Sequence, residues 1–87
     1  DEEETDVVAQ ADGSYLMRGM APFGEVCETL GILMEGMEYE TLNGYLISLI
    51  GKIPGEHEEF ELDAEGWHFH VLSVRDKMIH MVRVTKA

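Results

Sequence analysis

The hydrophobic periodicity of the chain changes at Pro54-Gly55, and this change constrains the fold more than any other feature. Before it, apolar residues recur at helical spacing, and after it they alternate with polar residues. The two apolar stripes are Phe23, Val26, Cys27 and Leu30, and then Leu42, Tyr45, Leu46, Leu49, Ile50 and Ile53. The pattern predicts an α+β domain, with two helices packed on one face of a mostly antiparallel sheet.

Both predicted helices carry boundary signals. The residues that mark the helix ends are Pro22 and Gly31 for the first helix, and Thr41, Gly51 and Pro54 for the second. Proline suits the first helical position, glycine suits a left-handed cap, and threonine suits an N-cap. The connection at 32–40 is expected to add apolar contacts through Met34, Met37 and Tyr39.

Strands are predicted for the rest of the chain. The predicted segments are Ser14–Met20, Glu59–Leu62, Trp67–Val71 and Met78–Thr85. In the last of these, Ile79, Met81, Val82 and Val84 do not keep one phase, so either both faces are covered or a bulge shifts the register. Residues 1–10 are predicted to be an acidic linker, with an edge strand at Val7 and Val8 as the alternative, and residues 11–87 the folded domain.

Composition excludes several classes of partner. The 87 residues suffice for one small domain, and a net charge of −12 disfavours nucleic acid and anionic lipid. The longest apolar stretch, Tyr45–Ile50, is interrupted by Ser48 and is too short to insert into a bilayer.

The single cysteine excludes an internal disulfide and suits a reducing compartment. Because the sequence begins at Asp1 rather than Met, we expect a piece of a longer protein.

The histidines are the candidate metal ligands. His68 and His70 are predicted on one strand face, and three imidazoles including His80 could hold zinc if the register brings them together. The alternative is that His68 and His70 are the polar residues of a half-buried strand. Cys27 lies on an apolar stripe and is expected to be a buried thiol. No nucleophile elbow, P-loop or dinucleotide-binding motif is present, so no catalytic residue is predicted.

Several motifs in order resemble a known family. They are the Asp12-Gly13-Ser14 turn, Gly19, Pro22, Leu30-Gly31, "YETLNGYLISLIGKIP" and "WHFHVLSVRDKMIHMVRV". Together they are similar to the CorC/HlyC transporter-associated domain, the C-terminal module of bacterial hemolysin-like and magnesium and cobalt efflux proteins. The resemblance runs from Asp12 to Val84. Glu40, Lys52 and Cys27 depart from the residues that are frequent in the family.

The resemblance implies a fold similar to the FAD-binding and transporter-associated domain-like fold. It also implies a non-catalytic regulatory domain that modulates magnesium and cobalt efflux. Such a module packs with CBS domains and a transmembrane domain of the same protein, or forms a homodimer, on the cytoplasmic face of the bacterial inner membrane. A domain that binds FAD or an adenine nucleotide is the alternative. FAD is expected only by analogy of fold, because the chain lacks a glycine-rich phosphate cradle and is strongly acidic.

Overall fold

Five strands form one antiparallel sheet in the order β1-β2-β5-β4-β3. The structure, a computed structural model, describes residues 6–33, 36, 38–56 and 58–87. The elements are β1 (Val7–Ala9), β2 (Tyr15–Arg18), α1 (Phe23–Leu30), α2 (Leu42–Ile50), β3 (Phe60–Ala64), β4 (Trp67–Arg75) and β5 (Met78–Lys86). Both helices pack on one face of the sheet, which confirms the predicted α+β class.

The core lies between the helices and the three inner strands of the sheet. Its fully buried side chains include Met17, Phe23, Val26, Leu42, Leu46, Phe69, Val71, Val82 and Val84. On β4, Phe69 and Val71 point inward, and His68 and His70 therefore point to the opposite, helix-free face. The alternation in the sequence correctly placed the histidines on the face away from the core.

A register shift interrupts the pairing of β4 with β5. Val71 pairs with Val82, and the next pair joins Ser73 to Met81, so Leu72 is skipped. His80 is skipped in turn before Val74 pairs with Ile79. Each strand thereby changes which of its residues face the core, because the side-chain period of a strand is two. The bulge alternative is confirmed, and it explains the mixed phase of the last strand.

Glycine and threonine cap the helices as predicted. Gly31 and Gly51 adopt left-handed φ angles of 75° and 84°, and the Thr41 hydroxyl accepts a hydrogen bond from Gly44 N–H at 3.2 Å. Pro22, however, is the N-cap of α1 rather than its first helical residue, with an extended ψ of 131°. A β-bridge between Pro22 and Thr41 holds this extended backbone in place.

Two further expectations differ from the structure, and an alternative is confirmed. The stripe of α2 is narrower than predicted: Leu49 is 45% exposed within the helix, and Ile53, beyond the helix end at Ile50, is 56% exposed. The first predicted strand is shorter, at Tyr15–Arg18. The edge-strand alternative at Val7 and Val8 is confirmed, since Val7–Ala9 pairs with β2.

Part of the predicted linker, residues 1–5, lies outside the described residues, as do Met34 and Met37. Tyr39 packs against the core as expected. Among the described residues, neither helix has the length and apolar content needed to cross a membrane.

Candidate functional site

The two histidines of β4 form hydrogen bonds on the helix-free face with carboxylates next to them. His68 lies between two β3 side chains, with Nε2 2.7 Å from Glu61 Oε1 and Nδ1 2.5 Å from Asp63 Oδ1. These hydrogen bonds, the one to Asp63 first, raise the pKa of His68. His70 Nε2 lies 2.9 Å from Glu59 Oε2. The side chains therefore fasten the edge strand β3 to β4.

His80 lies elsewhere, in the register shift between β4 and β5. Its Nδ1 is 3.2 Å from Ser73 Oγ, and its side chain lines a cavity that neither His68 nor His70 lines. Within the described part of the chain, no group of three or more His, Cys, Asp or Glu side chains is arranged to hold a metal ion. The structure therefore gives the three histidines separate partners, and a metal role for them stays a prediction.

The cavity lies between the end of β2 and the turn that joins β4 to β5. It has a volume of about 300 Å³. Its lining residues are Arg18, Met20, Arg75, Asp76, Met78, Ile79 and His80. Only His80 among them was singled out from the sequence as a candidate ligand. The cavity thus combines two arginines and a histidine with an apolar rim in a protein whose net charge is −12.

Gly19 lies between the lining residues Arg18 and Met20, and its backbone closely approaches β5. Gly19 N–H donates to His80 O at 2.8 Å, and a Cβ on this glycine would lie 1.8 Å from Ile79 O. Asn43, at the start of α2, hydrogen-bonds to both segments of this close approach. Its N–H donates to Gly19 O, and its Oδ1 accepts from Ile79 N–H at 2.8 Å. Glycine is required here because any side chain would force the strands apart.

Asp76, another lining residue, belongs to the tight turn at Asp76-Lys77. Both residues have positive φ angles, 53° and 64°, as a two-residue hairpin turn requires. The backbone N–H of Asp76 donates to Glu56 Oε2 at 2.7 Å. The segment that follows α2 is thereby hydrogen-bonded to the turn.

The Asp12-Gly13-Ser14 turn has a structural role beside β2. Asp12 Oδ1 accepts hydrogen bonds from Ser14 N–H at 3.0 Å and from the Ser14 hydroxyl at 2.6 Å, and Oδ2 pairs with Arg83 at 2.9 Å. The hydrogen bonds from Ser14, with a smaller contribution from Arg83, lower the pKa of Asp12 to about 2. The motif joins the start of β2 to the central strand β5.

Cys27 is buried in α1, as predicted. Burial raises the pKa of its thiol, and the charge of Glu65 adds to the effect. A nucleophilic cysteine needs the opposite shift and an open position.

The arrangement of these features matches a known type of domain. The family model described as the transporter associated domain, CorC_HlyC, matches residues 8–87. The chain belongs to this family. The resemblance noted in the sequence is thereby confirmed. The match to the CorC_HlyC domain begins at residue 8, inside β1.

Two relatives of known description share the domain. One is the UPF0053 protein sll0260 of Synechocystis sp., 38% identical over 66 residues, which are 70% of this chain and 14% of that protein. Another is the polyamine export protein of Salmonella typhimurium, 27% identical over 85 residues, or 95% of this chain and 19% of the relative. The CorC_HlyC domain described here therefore spans less than a fifth of the length of these relatives.

Solved structures share its fold. The CorC_HlyC domain from Nitrosomonas europaea is 32% identical with a TM-score of 0.83, covering 98% of this chain and all of that one. The domain of a Xylella fastidiosa hemolysin, in complex with Mg²⁺ and Mn²⁺, is 31% identical with a TM-score of 0.77, covering 95% and 99%. A domain of a CBS domain protein from Porphyromonas gingivalis, at 20% identity and a TM-score of 0.74 over 94% and 98%, shares the fold alone.

Proposed function

We propose that this domain is a non-catalytic regulatory module of a longer membrane transport protein. The observation that carries the proposal is the match to the transporter associated domain over residues 8–87, in a chain that covers 14% and 19% of two longer relatives. The module would lie on the cytoplasmic face of the bacterial inner membrane. There it would modulate export of a cation by packing against CBS domains of the same protein or against a second copy.

Which cation the longer protein exports can be proposed only from its relatives. The resemblance found in the sequence points to magnesium and cobalt, whereas one relative is a polyamine export protein. All three are cations, and an accessory domain that acts by contact does not itself have to recognise the cargo. The exposed apolar side chains Leu49 and Ile53, at the end of α2, offer contact area for such a neighbour.

The regulatory role can be tested in the full-length protein. We expect removal of residues 8–87 to change the export of Mg²⁺, Co²⁺ or a polyamine while the truncated protein still reaches the membrane. Export would be measured as tracer loss from loaded cells, and membrane content by immunoblot. A full-length Leu49→Ser variant with Ile53→Ser should reproduce the change, and Lys52→Gln on the same segment is the control. Unchanged export after removal of the domain would contradict the proposal.

We propose that the domain does not bind FAD, because its described cavity is a poor fit for this cofactor. The cavity of about 300 Å³ is at the lower end of the range for small-ligand sites, and it lacks the run of glycines that admits a pyrophosphate. We therefore expect saturating FAD to leave the melting temperature unchanged. A melting temperature that rises with FAD concentration would support the alternative that the domain binds a flavin.

Metal binding at the histidines is a separate prediction. Calorimetric titration with Zn²⁺, Co²⁺ and Mg²⁺ tests it, with a His68→Gln, His70→Gln variant as the comparison. Heat that is identical for both proteins would remove these two histidines as ligands.

A further inference from the structure

The outer edge of β3 is suited to receive an additional strand. We propose that an extended segment of a protein partner, with lysine or arginine at alternate positions, pairs with this edge and becomes the sixth strand of the sheet. The inference goes beyond the regulatory role proposed above and does not depend on it. It rests on three features of β3: its backbone edge, the side chains of its two faces, and its charge.

β3 is the longer of the two strands that end the sheet. It comprises Phe60–Ala64, whereas β1 comprises only Val7–Ala9. No strand in the described part of the chain pairs with the side of β3 that faces away from β4. In an antiparallel pair every second residue directs its N–H and C=O away from the neighbour, so β3 presents backbone donors and acceptors to solvent.

The usual backbone devices that block an edge strand are missing from β3. Such edges are commonly protected by a proline, a lysine or a bulge. The sequence of β3 contains neither residue type, and its pairing with β4 runs without a register shift along the whole strand. An incoming strand therefore meets a regular backbone edge.

The two faces of β3 define the sequence of the added strand. On the core side, its apolar residues are only partly buried: Phe60, Leu62 and Ala64. On the helix-free face, the side chains of Glu61 and Asp63 remain 54% and 68% exposed despite their hydrogen bonds to an imidazole of β4. Side chains directly opposite each other on neighbouring strands lie about 5 Å apart and interact. Apolar residues of the partner would thus cover the first set, and cationic residues would pair with the second.

The segment that contains β3 is strongly acidic. Residues 58–65 include five carboxylates and no lysine or arginine. The cations beside this segment are Lys52, His68, His70 and Lys86. Even with both imidazoles protonated, the carboxylates outnumber these cations. Arg83, opposite His70 on β5, is itself paired with Asp12 at 2.9 Å.

This negative charge selects the occupant of the edge. If β3 paired with the β3 of a second copy, carboxylates would stand opposite carboxylates, and like charges directly opposite each other are destabilising. A segment with lysine or arginine at alternate positions places opposite charges there instead. The acidic side chains thus oppose self-association through this edge and favour a cationic strand.

The test uses the acetylated and amidated peptide Lys-Val-Lys-Val-Lys as the probe, added to the 87-residue chain. Two-dimensional NMR would follow the chemical shifts and hydrogen-exchange rates of the backbone amides. We expect saturable shifts at residues 58–65, and slower exchange at every second amide of residues 60–64, because only the outward N–H groups gain a partner. The peptide Glu-Val-Glu-Val-Glu, and the lysine peptide with every backbone amide N-methylated, should each bind at least about tenfold more weakly.

Matched variants separate strand pairing from the overall charge. Glu61→Gln with Asp63→Asn removes two carboxylates from β3 and should weaken binding of the lysine peptide about tenfold, because two cross-strand charge pairs are lost. Glu25→Gln with Glu28→Gln removes two exposed carboxylates from α1 and should leave the affinity nearly unchanged. The comparison of peptides uses the parent chain alone, so it decides the proposal even if β3 loosens in the first variant.

Four results would each overturn the proposal. Equal binding of the N-methylated peptide would mean that charge alone holds the lysine peptide. Equal weakening by both pairs of substitutions would mean that the net charge of the chain, rather than β3, controls binding. Shifts at residues 60–64 that appear when the chain alone is concentrated would assign the edge to a second copy. The fourth result is the absence of any saturable shift up to about 10 mM lysine peptide.

Discussion

Gly19 occupies the position where the backbones of β2, β5 and the start of α2 come closest together. Its N–H and its carbonyl are both hydrogen-bonded, to His80 and to Asn43. The requirement for glycine is steric, because the atom that would oppose a Cβ is a backbone oxygen of Ile79, which cannot rotate away.

We therefore expect Gly19→Ala to destabilise the domain by about 3 kcal/mol or more, as strands must separate to admit the methyl group. Gly24→Ala is the control, since that glycine lies in α1 with no atom within 4 Å of the added Cβ. This second change should stabilise the domain by up to about 1 kcal/mol. Urea unfolding measures both, and an equal effect of the two substitutions would contradict the steric account.

A second residue-scale prediction concerns acid. The pKa of Asp12 is lowered to about 2 by hydrogen bonds from Ser14, with Arg83 contributing less. A depressed pKa means that the carboxylate stabilises the fold above its unfolded pKa, near 3.9, and that this contribution disappears as pH falls toward 2. Asp12→Asn should thus be less stable than the parent protein at pH 6, with the difference vanishing near pH 2. Urea unfolding across that window would reveal it, and a pH-independent difference would exclude this linkage.

At the scale of elements, β3 depends on side-chain pairs as well as on its backbone ladder. It is an edge strand, and its phenylalanine and leucine are only partly buried. On the other face of the strand, Glu61 and Asp63 bond the same imidazole of β4. The attachment of this edge strand is therefore sensitive to the charge of His68.

The pH dependence of the stability of the domain follows from the direction in which the pKa of His68 is shifted. Hydrogen bonds to Asp63 and Glu61 raise the pKa of His68, so the ion pairs stabilise the domain fully below the unfolded value near 6.5. That contribution is lost as pH rises through the folded pKa. We expect unfolding experiments from pH 6 to pH 9 to show this loss in the parent protein and not in His68→Gln. In Asp63→Asn, an NMR titration should place the His68 pKa nearer to its ordinary value.

The elements that local chemistry determines were predictable, and those that depend on distant contacts were not. Gly31 and Gly51 end the helices through their left-handed backbone, and Thr41 caps α2 by a hydrogen bond to a residue close in the sequence. These helix ends could therefore be predicted from residue type. Pro22 did not, because its extended backbone is fixed by the bridge to Thr41 across the connection. The phase change of the last strand signalled a bulge, but which residues it skips depends on pairing with β4.

The cavity could not be predicted for the same reason. Arg18 and Arg75 are far apart in the sequence, and both line the cavity because β2 and β4 are both neighbours of β5. Each arginine alone is an ordinary surface residue. One signal was available: four of the six basic residues fall in the last thirteen positions of an acidic chain. The family, in contrast, was readable from the order of short motifs, which reflects the turns and helix ends that this fold requires.

At the scale of the whole molecule, the sheet order carries a consequence for synthesis. The central strand β5 is the last element in the sequence, and it alone joins the β1–β2 pair to the β3–β4 pair. A chain emerging from the ribosome can form those two hairpins early, but it cannot unite them until β5 has left the exit tunnel. Folding of the module is therefore delayed until the end of its own translation, and a stop codon before Met78 would leave two hairpins, each marginally stable alone, rather than a shortened domain.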